Sequence, residues 1–168
     1  LIFAVFFWAG FEQAGSSLSL YTDKYIDRSI GSFEIPTSWF QSVNPLFIVT
    51  LAPLFTLFWA SPIGRRLTTP VKMGVGMIIL GVGFLFMIGA VAERSANGDV
   101  DDVNNKAALM WLIMTYLLHT IGELCISPVG LSVVTKLSPP KLASVLMAVW
   151  MLSSFFANIV GGYIASYV

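Results

Sequence analysis

The chain has 168 residues, of which 57% are hydrophobic and 11% are charged, and its formal net charge is zero. Since a soluble domain has about 25% charged residues, this composition excludes an ordinary soluble protein, and the zero net charge gives no reason to expect nucleic acid as a partner. The single cysteine, Cys125, excludes an intrachain disulfide and a cysteine-rich metal site. No nucleophile–base pairing and no metal-ligand spacing is present, so we predict neither an enzyme nor a metal or cofactor site.

Five stretches are long and apolar enough to cross a hydrocarbon core, which takes about 20 helical residues. They are residues 1–22, 35–62, 71–92, 107–135 and 142–168. The connectors between them contain the charges, prolines and glycines typical of helix ends. The sequence therefore predicts an all-α membrane protein in which residues 1–168 form one bundle of five transmembrane helices.

Both ends of the chain lie inside apolar stretches. The first residue is Leu1 rather than methionine, and residues 1–11 have no basic flank or cleavage site typical of a signal peptide. We therefore expect the chain to be a segment of a longer membrane protein.

Alternate connectors differ in the sign of the charges that they contain. The second and fourth connectors, with flanking Lys72, hold five basic residues and no acids, whereas the first and third hold four basic and seven acidic residues. Because lysine and arginine accumulate in cytoplasmic loops, we predict that the second and fourth connectors face the cytoplasm.

Two of the nine acidic residues, Glu12 and Glu123, lie in the middle of predicted helices. A charge at the bilayer centre costs about 2.5–3.5 kcal/mol, and such residues usually face a bundle interior or water. No lysine or arginine lies at the same depth, so we expect the partner of each carboxylate to be a proton, a substrate cation or a basic residue outside this chain. Desolvation favours the neutral form of a carboxyl group, which is a physical route to proton binding.

Depth can be counted from the connectors at about 1.5 Å per residue. Glu12 and Asn44 then lie about 16 and 15 Å from the outer boundary. Glu123 and Trp150 lie about 20 and 14 Å from the inner boundary. All four are near the middle of a core about 30 Å thick, so they could line one cavity.

Spacing and proline positions add further expectations. Two sets of residues recur every four positions and should each share a helix face: Trp8, Glu12 and Ser16 in the first span, and His119, Glu123 and Ser127 in the fourth. Pro45 and Pro128 should interrupt helical hydrogen bonds beside these sets, a recurrent feature of transporters. Glycines of the third span, which are Gly74, Gly76, Gly81, Gly83 and Gly89, should allow close helix approach.

Each polar candidate also has a purely structural interpretation. Glu12 and Glu123 could be bonded to serines or backbone, and Asn44 could be an interhelical hydrogen-bond donor. His119 could either be a packed, satisfied histidine or tune Glu123. Trp8 and Trp150 could be core aromatic residues.

Three segments together resemble one family. FFWAGFEQAGSSL (Phe6 to Leu18), IPTSWFQSVNPLFIVTLAPLF (Ile35 to Phe55) and GELCISPVGLSVVTKLSP (Gly122 to Pro139) are similar to the seventh, eighth and tenth helices of the proton-dependent oligopeptide transporters, the POT or PTR family of the major facilitator superfamily. The resemblance implies that the chain holds helices seven to eleven of a twelve-helix fold. It also implies a separate N-terminal half of six helices as a partner.

The resemblance implies a role for each site residue. Glu12 matches the acid that takes part in proton coupling and in a salt bridge between the two halves. Asn44 and Glu123 match the pair that binds the amino terminus of the peptide. The remaining cavity-lining matches are Trp8, Ser127 and Trp150. His119 has no implied role.

The expected function is proton-coupled symport of di- and tripeptides by alternating access, with the proton as coupling ion and no other cofactor. The short connector Glu93 to Lys106 resembles that of the bacterial members, so we expect a multi-pass protein of the bacterial inner membrane. Two alternatives remain. One is the same fold carrying nitrate or another small organic solute, and the other is a non-transporting receptor or assembly protein in which Glu12 and Glu123 only hold helices together.

Overall fold

The apolar runs fold as helices, because a helix satisfies all of its backbone hydrogen bonds within one segment. The computed structural model describes residues 2–139 and 141–167. Its seven α-helices are α1 Ile2–Phe11, α2 Ser17–Tyr25, α3 Val43–Ala60, α4 Pro62–Arg66, α5 Thr69–Asn97, α6 Leu109–Leu137 and α7 Ala143–Ala165. The other elements are two 3₁₀ segments, Glu12–Gly15 and Thr37–Ser42, and the antiparallel strands β1 Ser29–Ile30 and β2 Phe33–Glu34. Leu1 and Val168 of the predicted spans, and Pro140 of the fourth connector, lie outside the described residues.

Four helical stretches of the described chain are long and apolar enough to cross a membrane. They are Thr37–Ala60, Thr69–Asn97, Leu109–Lys136 and Ala143–Ala165, and they correspond to the second to fifth predicted spans. The all-α membrane class is confirmed. The third connector is shorter than predicted, because α5 continues as far as Asn97. The residue that caps its end, Gly98, has a φ of +155°.

The first predicted span is not one continuous helix. It is interrupted by the 3₁₀ segment Glu12–Gly15 and by Ser16, whose φ of −120° and ψ of −94° are not helical. A 3₁₀ helix has three residues per turn rather than 3.6, so a spacing of four no longer returns to the same face. The predicted shared face therefore does not extend to Ser16, whereas Trp8 and Glu12 are separated by the α-helical turn that ends at Phe11.

The side chain of Gln13 stabilises this interruption. Its Nε2 donates to the carbonyl of Ala9 at 3.1 Å and to the carbonyl of Gly161 on α7 at 3.2 Å. Its Oε1 accepts from the hydroxyl of Ser17 at 2.6 Å. Gln13 is buried, and these bonds connect both sides of the interruption to α7.

The two prolines beside the predicted sites differ in their effect. Pro128 lies inside α6, as predicted. Pro45 lies in the first turn of α3, which begins only at Val43. The 3₁₀ segment Thr37–Ser42 leads directly into α3, so Pro45 lies just after the change from 3₁₀ to α helix.

The first and third connectors meet at one end of the bundle. The backbone N–H of Asp27 donates to Ala107 O at 2.9 Å, and the Ala107 N–H donates to Tyr25 O at 2.8 Å. The backbone N–H of Ser29 also donates to Asp27 Oδ1 at 3.0 Å and lowers the pKa of that exposed carboxyl. The alternation of connectors between two sides is confirmed, and their assignment to the cytoplasm or the exterior stays a prediction.

Arg94 holds the third connector from within. Its side chain is 2% exposed, and it donates to the carbonyls of Asn105 at 2.6 Å and Asp102 at 3.1 Å. Its guanidinium carbon also lies 3.8 Å from the ring centroid of Tyr25 at the end of α2. The connector thus forms an ordered clasp over the ends of α2, α5 and α6.

The glycines of α5 fall into two groups. A Cβ at Gly76 would lie 2.8 Å from the carbonyl oxygen of Gly122 on α6, and a Cβ at Gly83 would lie 2.6 Å from the His119 ring. Gly89 approaches α6 in the same way. A Cβ at Gly74 or Gly81 would meet nothing within 4 Å among the described residues. Only the first group therefore serves the predicted close approach.

We predict opposite effects for two alanine substitutions on α5. Gly76→Ala should destabilise the protein by about 1–3 kcal/mol, because the added methyl group overlaps the backbone of α6. Gly74→Ala is the matched control, and it should be neutral or stabilising by up to about 1 kcal/mol, since alanine is the better helix former. Thermal unfolding of the purified protein in detergent measures both, and equal midpoints would contradict this account of helix packing.

Candidate functional site

A cavity of about 170 Å³ opens beside the interruption of the first span. Its polar lining comes from the first 3₁₀ segment, from the start of the second span and from α6: Glu12, Gln41, Asn44, Tyr116 and His119. Two separate predicted positions, Glu12 and Asn44, therefore face one space.

The best-defined polar contact beside the cavity joins α3 to α6. Asn44 Nδ2 donates to Glu123 Oε2 at 3.2 Å, and Asn44 Oδ1 accepts from the hydroxyl of Thr120 at 2.5 Å. The Thr120 hydroxyl also lies 2.8 Å from the carbonyl of Tyr116. Because Thr120 occupies the oxygen end of the amide, the nitrogen end of Asn44 is directed at the carboxylate. Glu123 is half-buried, and no basic side chain among the described residues pairs with it.

The second carboxylate has no partner among the described residues. Glu12 is half-buried, and neither a hydrogen bond nor an ion pair reaches its carboxylate oxygens within that part of the chain. It also lines another cavity of about 220 Å³, together with Asn158 and Gly161 of α7. Glu12 can therefore be reached by a small ligand, by water or by a proton from two directions.

His119 is packed into the wall of the cavity. It is 1% exposed, with its ring centroid 4.7 Å from that of Phe84 and 6.4 Å from that of Phe11. Neither ring nitrogen has a hydrogen-bond partner among the described residues. His119 thus makes no hydrogen bond to Glu123, and its contacts are those of a residue packed among aromatic rings.

Three other predicted site residues do not line this cavity. Trp8 packs edge-on against Phe7 and Phe11, with ring centroids 5.5 and 5.4 Å apart. Trp150 is buried against Gly130 of α6, where a Cβ would overlap its ring. Ser127 lies one turn beyond Glu123, and its buried hydroxyl has no partner among the described residues. Glu12 and Asn44 line the cavity, and Glu123 adjoins it through its contact with Asn44. Trp150 lines a separate cavity of about 280 Å³.

Four polar residues of the site region are absent from the predicted site. Gln41 and Tyr116 line the cavity. Gln13 holds the segment that carries Glu12, and Thr120 orients the Asn44 amide. Gln13 and Thr120 are uncharged polar residues in the middle of apolar spans. An unsatisfied polar group in such a place costs on the order of several kcal/mol. The signal in the sequence is therefore any polar residue within an apolar span, whether or not its side chain is charged.

Comparison with known proteins gives a consistent result. A model of the POT family (PTR2) matches residues 1–168. The chain is 40% identical over 165 residues to the uncharacterized transporter YclF of Bacillus subtilis, covering 96% of this chain and 31% of that protein. It is 36% identical over 170 residues to the peptide transporter YePEPT of Yersinia enterocolitica, covering 100% of this chain and 32% of that protein.

The fold is also that of a solved transporter. A crystal structure of a peptide transporter POT in complex with sulfate matches with a TM-score of 0.85 at 32% identity, over 99% of this chain and 32% of that one. The chain thus spans about a third of the length of the relatives it matches.

Proposed function

The chain belongs to the POT family, and from this premise we propose that it forms part of a proton-coupled symporter of di- and tripeptides that works by alternating access. It is a multi-pass membrane protein with relatives in bacteria, which supports a place in the bacterial inner membrane. The observation on which the proposal rests is the Asn44–Glu123 pair next to a cavity lined by an unpaired Glu12.

The pair suits the amino terminus of a peptide. An ammonium group has three donors and one positive charge, and an ionised carboxylate offers about four acceptor sites. Asn44 uses one of those sites on Glu123, so the carboxylate retains the capacity to bind a cationic donor. Charge-assisted hydrogen bonds are the strong ones, especially away from water. Recognition of the main-chain terminus rather than of side chains would accept many peptide sequences.

Glu12 is the proposed site of proton coupling. In its ionised form it would pair with a basic residue of an N-terminal half of six helices, and in its protonated form it would release that residue. The proton would thereby bias the packing of the two halves, which is the bistable element of the mechanism. The lack of a partner for Glu12 within the described residues supports this division of roles.

The alternatives predict different chemistry. The described polar groups near the cavity include two carboxylates and no lysine or arginine, an arrangement that favours a cationic group over nitrate. Competition for binding by nitrate and by peptides distinguishes the two substrates. In a non-transporting receptor, Glu12→Gln with Glu123→Gln would impair folding rather than transport. We propose that the substrate crosses the membrane without chemical conversion, so the protein is not an enzyme.

We predict that Glu123→Gln weakens binding of a peptide with a free amino terminus by roughly 10- to 100-fold, because a hydrogen bond to a charged group is lost. Binding to the purified full-length transporter measures this. An amino-terminally acetylated peptide is the control, since it has no ammonium group to lose. The preference for the free peptide over the acetylated one should shrink in the variant, and an unchanged preference would place the ammonium group elsewhere.

Glu12→Gln should abolish peptide uptake driven by a pH gradient in liposomes, since glutamine cannot exchange a proton. Exchange of labelled for unlabelled peptide without a gradient should persist, which separates coupling from binding. Undiminished proton-driven uptake by both the Glu12→Gln and Glu123→Gln variants would refute the proposed symport.

Thr120→Val should weaken peptide binding by roughly two- to tenfold, the usual effect of one neutral hydrogen bond. Valine keeps the shape of threonine but no longer orients the Asn44 amide. Thr115→Val is the matched control, because Thr115 is equally buried on α6 and, within the described chain, its hydroxyl bonds to the carbonyls of Trp111 and Gly83 and not to Asn44. Equal binding by the two variants would show that Thr120 has no role in orienting the site.

A further inference from the structure

A larger cavity, of about 430 Å³, lies at the end of the bundle remote from the clasp. The end of α3, the start of α5 and the end of α6 surround it. Its charged lining residues are Lys72 and Lys136, which come from different helices, and no acidic residue lines it within the described part of the chain. Two lysines that line one cavity, with no acidic residue among the described lining, favour an anion there.

Trp59 positions one of the two lysines. The Lys72 ammonium lies 4.5 Å from the centroid of the Trp59 ring, a cation–π arrangement that holds the lysine over the cavity wall. The hydroxyl-bearing residues Thr69 and Ser132 also line the cavity. The lining is therefore rich in donors and lacks a charged acceptor.

The location of the cavity selects among anions. Lys72 lies in the first turns of α5 and Lys136 in the last turn of α6, so both are at the membrane boundary, where lipid headgroups lie. The rest of the wall includes the apolar residues Val129 and Val133. Leu57, near the same end of α3, is 70% exposed, so apolar side chains suited to an acyl chain are present on this part of α3.

We propose that this cavity binds the phosphate-bearing headgroup of an anionic phospholipid, with phosphatidylglycerol as the test ligand. The two ammonium groups neutralise the phosphate, and the hydroxyls of Thr69 and Ser132 line the same cavity as further donors. Basic cavities between transmembrane helices on the cytoplasmic side are suited to such headgroups, and the all-basic connectors at this end predict that it faces the cytoplasm. The site is separate from Glu12, Asn44 and Glu123 and does not depend on what is transported.

The test counts retained lipids. The full-length transporter is purified from vesicles that contain phosphatidylethanolamine and phosphatidylglycerol, and native mass spectrometry measures how much phosphatidylglycerol stays bound. Lys72→Gln and Lys136→Gln should each weaken retention about fivefold, and the double variant about 25-fold, since each lysine near an anionic surface contributes about the free energy of a fivefold change. Lys141→Gln is the matched control, because Lys141 is basic, lies on the same side and does not line the cavity. It should retain as much lipid as the unaltered protein.

Three outcomes decide the matter. Equal retention by the double variant and the Lys141→Gln control overturns the proposal. Binding of inorganic phosphate with the same dependence on the two lysines, but without retention of phosphatidylglycerol, also overturns it, because the site would then be one for a soluble anion. If the double variant fails to fold, the two single variants carry the test, and retention equal to that of the Lys141→Gln control by both of them refutes the proposal.

Discussion

A carboxylate in a hydrocarbon environment must be paired or protonated, and the interior of this bundle contains two of them. Glu123 has one neutral donor, Asn44, and Glu12 has no partner among the described residues. The polar features around them follow from this imbalance: a threonine that orients the amide, and cavities through which a positive group can arrive. A fully satisfied pair would stabilise the bundle but would have no capacity left for a visiting cation.

The sequence predicts the elements that depend on local properties. The length of an apolar run and the need to satisfy its backbone define the second to fifth spans, and alternation along the chain defines which connectors share a side. The depth of Asn44 and Glu123 follows from counting residues. Depth does not determine direction, however, and Trp150, placed at a similar depth, is packed against Gly130 instead.

The remaining features depend on contacts between residues far apart in the chain. The 3₁₀ segment Glu12–Gly15 contains no proline. It is held by a hydrogen bond from Gln13 to Gly161, which lies 148 residues away in the chain. In the same way, Gly74 and Gly76 are the same residue type in the same helix. Only the rotation of α5 against α6 determines which of them touches the neighbouring helix. A single sequence contains no direct record of such rotations.

The interruption at Glu12–Gly15 separates two pieces that are anchored independently. On one side, Phe7 of α1 packs with Leu80 and Ile126, while the Gln13 amide bonds to α7. On the other side, α2 is anchored through Tyr25 to the clasp around Arg94. Glu12 lies at the junction, with a cavity on either side. A change in the charge of Glu12 therefore acts where the first span is least regular. At this junction, a small rotation of one anchored piece against the other changes which groups the carboxylate can reach.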